Sequence, residues 1–279
     1  MWEQHIIQTE RGNFEYFHKG TGEPMCVTHL YSEFNERGNT FALPFTEHYS
    51  VFLVNLRGCG KSDMAEQDAD YSMEAAVADL EAIREALGFD KWAFAGHSTG
   101  GMLALKYAIM AERSLTKIVA GGLCASSDYM YHPGSIYCRE NPNNKRILEI
   151  MRLLDSPDTP IEERRALGKE WFLMSIYNEN QYDQIVSKPN SGKVVSARLN
   201  YFSYVELKDY DLRPALPNVT LPAFIYSGLH DAQCPHVFSK EAADLMPNAT
   251  MTTFEWSNHN PFGEEEEKFK EFVIKTCSS

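Results

Sequence analysis

The chain has 279 residues, a length that fits one large α/β core with an insertion, or two domains. Its 39 acidic residues outnumber its 26 basic residues and give a formal net charge of −13, a field that repels phosphate backbones and anionic lipid headgroups. We therefore expect neither nucleic acid nor a membrane as a partner. The oligomeric state stays open.

Several sequence patterns are missing. No apolar run approaches the roughly 18 residues that span a bilayer, and the first residues lack the basic and apolar blocks of a signal peptide, so we expect a cytoplasmic protein. The six cysteines are scattered without a Cys-x-x-Cys pair, which favours free thiols over a disulfide framework. Because no His-Glu-x-x-His pattern occurs, we expect no metal and no other cofactor.

The N-terminal part predicts β-strands. Two strands, Trp2 to Thr9 and Phe14 to Lys19, flank a glycine-containing turn, and a third apolar run covers Met25 to Leu30. Residues 49–56 are almost continuously apolar, which is typical of a central strand covered on both faces. A glycine-containing loop, residues 57–62, follows this strand.

Helices and strands then alternate regularly. Ser72 is an N-cap residue for a helix that runs to Leu87 with apolar residues at helical spacing. A strand from Lys91 to Ala95, a helix from Met102 to Met110 and a strand from Leu115 to Ala120 come next. This order implies right-handed crossovers and a largely parallel sheet.

Residues 125–219 break the alternation. Prolines punctuate short helical pieces in this segment, and no strong buried strand is visible. We interpret it as a helical cap insertion between a first core part, residues 1–124, and a second core part, residues 220–279. Large apolar side chains here and in the core either pack together or line a substrate pocket. The pocket candidates are Leu30, Trp171, Met174, Tyr201 and Phe202.

The alternating pattern resumes after the insertion. Strands are predicted at Ala223 to Ser227 and at Ala249 to Phe254, with a helix at Val237 to Leu245 between them. A last helix is predicted from Glu264 to about Lys275. Because acidic residues in the first turn are favoured by the helix dipole, we interpret the run from Glu264 to Glu267 as a solvated helix start.

One motif carries chemistry. Residues 96–100 read Gly-His-Ser-Thr-Gly and lie between a predicted buried strand and a predicted helix, the context that a nucleophile elbow requires. A serine nucleophile such as Ser98 needs a base within hydrogen-bond reach, and the base needs a group that orients it. Asp231 and His259 each follow a predicted strand, at the sheet edge where catalytic groups collect.

The order Ser98, Asp231, His259 resembles that of the α/β-hydrolase superfamily over nearly the whole chain. The resemblance implies an α/β-hydrolase fold, with a mostly parallel central sheet flanked by helices and a helical cap insertion. It implies that Ser98 attacks a carbonyl carbon, that His259 carries the proton and that Asp231 orients the imidazole. Asp128 is the second choice for the acid.

The resemblance also implies two backbone N–H donors for an oxyanion. One is Thr99, directly after Ser98. The other follows the third strand, where the family typically has His-Gly and then the donor. Here the residues are His29, Leu30 and Tyr31, so Tyr31 falls at the donor position and Leu30 is the alternative.

The serine separates the chain from dehalogenases and epoxide hydrolases of the same superfamily, which use an aspartate. Residues 57–62 resemble a loop of proline iminopeptidases, but no glutamate directly precedes Tyr201 and Phe202, where those enzymes carry one. We expect a carboxylesterase-like hydrolase that takes a small-molecule ester or amide. A proline iminopeptidase-like aminopeptidase is the alternative, and a non-catalytic small-ligand receptor is the alternative from another class.

Overall fold

The computed structural model describes residues 1–277, and the element bounds below refer to that part of the chain. Its strands are β1 (Glu3–Thr9), β2 (Gly12–Lys19), β3 (Glu23–Val27), β4 (Ser32–Glu33), β5 (Tyr49–Val54), β6 (Trp92–His97), β7 (Leu115–Gly121), β8 (Lys193–Val194), β9 (Ala223–Gly228) and β10 (Ala249–Phe254). Its α-helices are α1 (Met73–Ala86), α2 (Thr99–Ala111), α3 (Asn144–Asp155), α4 (Ile161–Leu173), α5 (Tyr182–Val186), α6 (Ser196–Tyr201), α7 (His236–Leu245), α8 (Pro261–Glu264) and α9 (Glu266–Thr276).

Eight strands form one sheet in the order β1-β2-β5-β3-β6-β7-β9-β10. The pairs β1–β2 and β2–β5 are antiparallel, and the other pairs are parallel. The predicted mostly parallel sheet is therefore confirmed. Its central strands are buried on both faces, as their continuous apolar sequences indicate.

Helices cover both faces of the sheet. One face packs against α1 and α2 through residues such as Leu80, Ile83 and Leu105. The other face packs against α9 through Phe269, Phe272 and neighbouring aromatic side chains. Two buried clusters thus sandwich the sheet and hold its strand ends in fixed positions.

The connectivity decides where a site can form. The strand β3 pairs with β5 on one side and with β6 on the other, so the chain reverses its direction of winding between these neighbours. Ligands of open parallel sheets bind outside the carboxyl ends of the strands at such a switch point. The loops after β3 and β6, which contain Tyr31 and Ser98, meet at this place.

Between β7 and β9 the chain forms α3 to α6 and the short strand β8. The helices α3 and α4 pack together through a small cluster that contains Ile147, Ile150 and Leu167. The later part of the insertion, including Phe202 and Tyr210, packs instead against the main core. The insertion is therefore attached to the sheet domain by buried side chains near its end.

Some boundaries differ from the sequence-based expectation. The third strand ends at Val27, where its pairing with β6 stops, and the chain then turns into the loop of His29 to Tyr31. The predicted last helix is two helices, α8 and α9, which meet at Glu265. The cysteines are all free, as the sequence favours. Within residues 1–277 no helix is long and apolar enough to cross a membrane.

Candidate active site

Ser98 lies in a strained turn between β6 and α2. Its backbone has φ 58° and ψ −125°, and it is the only non-glycine residue with positive φ in the described part of the chain. A Cβ at position 96 would lie 2.0 Å from the Gly100 carbonyl oxygen, and one at position 100 would lie 2.5 Å from the Thr28 carbonyl oxygen. Glycine is therefore required at both positions for the turn to close.

Asp231 and His259 are in direct contact. The His259 Nδ1 lies 2.9 Å and 3.0 Å from the two carboxylate oxygens of Asp231, and both side chains are buried. The Asp231 Oδ1 also accepts backbone N–H groups from Gln233 and Cys234, at 2.9 Å and 2.8 Å. Because this carboxylate holds Nδ1, the His259 Nε2 is left for proton exchange.

The imidazole of His259 lies beside the elbow. Its ring centroid is 4.6 Å from that of His97, the residue before Ser98. A Cβ at Gly122 would come within 2.5 Å of the His97 Cε1 and 3.2 Å of the His259 Cε1, so only glycine leaves room for both rings. The structure therefore places the Asp231–His259 pair beside the turn that carries Ser98, at one edge of the sheet. Asp128, the second choice for the acid, instead pairs with Arg213, 2.7 Å away.

The prediction for Glu264 is wrong. This carboxylate is buried and not solvated: it accepts backbone N–H groups from Tyr177, from Asn258 at 2.9 Å and from Asn260 at 3.2 Å. Burial raises the pKa of Glu264 to about 7, although the three N–H donors and the nearby His259 act in the opposite direction. The carboxyl group thus fixes the loop that carries His259, and the acidic sequence pattern gave no sign of it.

His29 organises the loop after β3. Its Nδ1 accepts the Tyr31 backbone N–H at 3.4 Å and lies 2.9 Å from Ser32 Oγ, while its Nε2 lies 3.1 Å from Thr99 Oγ1. Burial, with smaller effects from His259 and Arg198, lowers the pKa of His29 to about 3 and keeps the ring neutral. With Nδ1 as an acceptor, the proton is assigned to Nε2, which donates to Thr99.

A cavity of about 190 Å³ opens above Ser98. The pocket candidates Trp171 and Phe202 line it, together with Tyr31 and Thr99. Other walls were not predicted from the sequence. They come from residues 129–137 of the insertion, from α3 and from the loop after β9, and include Tyr129, Met130, Tyr137, Leu148, Met151 and Gln233. None of the described lining residues carries a charge at neutral pH.

Three pocket candidates do not line this cavity. Leu30 is fully buried in the main core, and Met174 packs against the α3–α4 cluster. Tyr201 is half-buried and is not among the walls. An apolar sequence pattern predicts which side chains of a strand or helix are buried but does not tell a core contact from a cavity contact, which explains the error.

The acidic residue nearest the Tyr201–Phe202 pair is engaged elsewhere. Glu206 lies in a π-helical turn, Phe202–Glu206, and its Oε1 accepts the backbone N–H of Met73 at 2.8 Å, at the start of α1. Burial raises the pKa of Glu206. This carboxyl group does not line the cavity. Within residues 1–277 no group of three or more His, Cys, Asp or Glu side chains is placed to hold a metal ion.

Comparisons with known proteins identify the fold family. Residues 29–266 match the family model described as the alpha/beta hydrolase fold. The chain belongs to the α/β-hydrolase fold family. This hydrolase is 59% identical to an alpha/beta fold family hydrolase of known structure from Bacillus anthracis strain Sterne, with a TM-score of 0.98 and 99% of each chain covered. The expected fold class and the expectation of an enzyme are thereby confirmed.

Two further similarities are to proteins named for an activity. The chain is 24% identical to a proline iminopeptidase from Heyndrickxia coagulans over 227 residues, which cover 78% of each protein. It also superposes on an esterase from Exiguobacterium antarcticum with a TM-score of 0.71 and 22% identity, covering 98% of this hydrolase and 99% of that chain. At 22% identity the match with the esterase shows a shared fold and nothing about the substrate.

Proposed function

We propose that this hydrolase cleaves small carboxylic esters with an uncharged, apolar acyl group through an acyl-enzyme on Ser98. The observation that carries the proposal is the uncharged cavity lined by Ser98, in a turn beside which the hydrogen-bonded pair of His259 and Asp231 lies. The cavity of about 190 Å³ is small beside ordinary ligand pockets of about 300 to 1,000 Å³, so a small acyl group suits it best.

In the first step the Ser98 hydroxyl oxygen attacks the ester carbonyl carbon, and its proton passes to the Nε2 of His259. The carbonyl oxygen becomes an oxyanion, which accepts the backbone N–H groups of Thr99 and Tyr31. The amide of Thr99 belongs to the first turn of α2, where helix geometry provides no intrahelical acceptor. The helix dipole adds to the stabilisation of negative charge there.

Collapse of the tetrahedral intermediate completes acylation. The carbon–oxygen bond of the ester breaks, His259 gives its proton to the leaving alkoxide, and the alcohol departs. A water molecule then attacks the acyl-enzyme, giving its proton to His259, and the serine ester bond breaks as Ser98 regains that proton. Asp231 stabilises the imidazolium that forms in each half of the cycle, and the net products are an acid and an alcohol.

An aminopeptidase function is supported less well. A peptidase that captures a free α-amino group needs a carboxylate close to the reacting serine. No described residue that lines the cavity is acidic, and Glu206, whose Oε1 accepts the Met73 N–H at the start of α1, does not line it either. Because an unpaired ammonium group in such an apolar cavity would lose its hydration, a neutral substrate is favoured.

The test compares a short-chain p-nitrophenyl ester with proline p-nitroanilide, using the wild type, Ser98→Ala and Ser187→Ala. Ser187 is a matched serine in the loop after α5, where its hydroxyl donates to the Gln184 carbonyl oxygen at 2.8 Å. We expect steady turnover of the ester by the wild type and by Ser187→Ala, and none by Ser98→Ala.

Two results would contradict the proposal. Faster cleavage of the proline anilide, lost when its amine is blocked, would indicate an aminopeptidase. Ester turnover by Ser98→Ala at the wild-type rate would remove Ser98 as the nucleophile. Stoichiometric binding of the ester without turnover would instead indicate the receptor alternative.

A further inference from the structure

Arg198 is a fully buried arginine of the insertion. It lies in α6, has 1% of its surface exposed, and places its guanidinium group against the sheet domain. Its Nε donates to the carbonyl oxygen of Leu30, and its Nη1 donates to the carbonyl oxygen of Arg57 at 2.9 Å. Its guanidinium carbon also lies 5.6 Å from the centre of the Tyr71 ring. The guanidinium group of this buried arginine thus donates to two main-chain oxygens of the core.

The Leu30 carbonyl belongs to the same peptide group as the Tyr31 N–H. In a planar trans peptide these two groups point in opposite directions. Because Arg198 holds the carbonyl on one side, the N–H is held on the other side, where it meets His29 Nδ1 at 3.4 Å. This contact is long for an N–H···N bond, so a negatively charged oxygen competes well for the same donor.

Further contacts join the insertion to this loop. The strands β4 and β8 pair in antiparallel fashion, with Ser32 opposite Val194 and Glu33 opposite Lys193. The backbone N–H of Val195 donates to the Tyr31 carbonyl oxygen at 2.8 Å. The insertion segment 193–198 therefore holds the main chain on both sides of the Tyr31 N–H.

We infer that Arg198 is a positioning residue that fixes the Leu30–Tyr31 peptide group so that the Tyr31 N–H can stabilise the oxyanion formed at Ser98. This inference rests on the proposed function and deepens it. Arg198 does not line the cavity above Ser98, so it acts through the peptide group and not by touching the substrate. In consequence the second oxyanion donor depends on a residue of the insertion.

The chemistry of the guanidinium group suits this task. Its planar fork donates in fixed directions to two carbonyl oxygens, which the single ammonium of a lysine cannot match. Burial lowers the pKa of Arg198, and the carboxylates of Asp79 and Glu206 act in the opposite direction. Placing a buried cation at this point is costly, and the hydrogen bonds to the two carbonyl oxygens offset part of that cost.

The experiment uses Arg198→Met, Arg198→Lys and the matched control Arg146→Met. Arg146 lies in α3 and pairs with Glu149 and Glu170, which belong to α3 and α4. Each variant is assayed for kcat and KM on a short-chain p-nitrophenyl ester. Its affinity for a trifluoromethyl ketone with the same acyl chain is also measured, because that inhibitor forms a tetrahedral oxyanion on the serine.

Loss of one oxyanion donor lowers kcat by about 100- to 1000-fold, and we expect a misplaced donor to lower it by about 10- to 100-fold. In Arg198→Met, KM should change little, and the trifluoromethyl ketone should bind more weakly by a factor close to that in kcat/KM. Arg198→Lys should be intermediate, because its ammonium can still reach one carbonyl. Arg146→Met should keep wild-type values.

A wild-type kcat in a folded Arg198→Met variant would overturn the inference, and so would a lower kcat with unchanged affinity for the ketone. A variant without a cooperative urea transition is not folded. If Arg198→Met is such a variant, the kcat and the ketone affinity of Arg198→Lys are compared with the wild type in its place. Ser98→Ala separates the two proposals: activity in that variant refutes the proposed function. An inactive Ser98→Ala variant beside a fully active Arg198→Met variant refutes only the role of Arg198.

Discussion

Replacement of Glu264 by glutamine should change how the stability of the protein depends on pH. The carboxyl group of Glu264 is buried, and its pKa is raised from an ordinary value of 4.5 to about 7. Between these values the unfolded chain is ionised at this position and the folded chain holds a proton. Folding therefore takes up a proton, and stability falls as the pH rises through this window.

The size of the effect follows from the same shift. At about 1.36 kcal/mol for each pH unit, a rise from 4.5 to about 7 corresponds to about 3 kcal/mol in the free energy of unfolding. This contribution is fully present below pH 4.5 and is lost as the pH rises through about 7. A glutamine cannot ionise, so the variant lacks this part of the pH dependence.

The assay is urea unfolding of the wild type and Glu264→Gln between pH 4.5 and pH 8.5, with Glu163→Gln as the control. Glu163 is an exposed glutamate in the first turn of α4. We expect the stability of the wild type relative to Glu264→Gln to decrease by about 3 kcal/mol over this range. A constant difference between the two proteins would refute the argument, as would the same change in the Glu163→Gln control.

Three further substitutions test other parts of the site. Asp231→Asn should lower kcat by about 10⁴-fold because the imidazole loses its orienting carboxylate; an unchanged kcat with native circular dichroism would contradict this. Trp171→Ala should enlarge the cavity and move the preferred ester to a longer acyl chain, measured across a series of chain lengths; an unmoved preference would argue against Trp171 as a wall. Gly96→Ala places a Cβ 2.0 Å from a main-chain oxygen, so it should reduce the unfolding free energy by about 3 kcal/mol or more, and a wild-type urea midpoint would exclude the clash.

The elbow was predictable because its signal is local. Glycine at positions 96 and 100, a buried strand before them and a helix after them appear together in one short stretch. The contact between Asp231 and His259 was also within reach, since parallel strands bring their carboxyl ends to one edge. Their catalytic roles remain predictions until the variants are assayed.

The role of Glu264 could not be predicted from the sequence, for a physical reason. A glutamate at the start of a helix looks the same in sequence whether it faces water or the interior. Its N–H donors come from Tyr177 in the insertion and from the His259 loop, and only the folded chain brings them together. Arg198 and Leu30 are separated by 168 positions, so no local pattern links them either.

The pairing of β4 with β8 bears on protein engineering. A chimera that exchanges only residues 125–219 for those of another family member would place a foreign strand against the native partner at Ser32 and Glu33. It would also remove the arginine that holds the Leu30 carbonyl. A recombination design should therefore transfer residues 28–33 together with the inserted helices, because the two segments pair with each other and are best exchanged together.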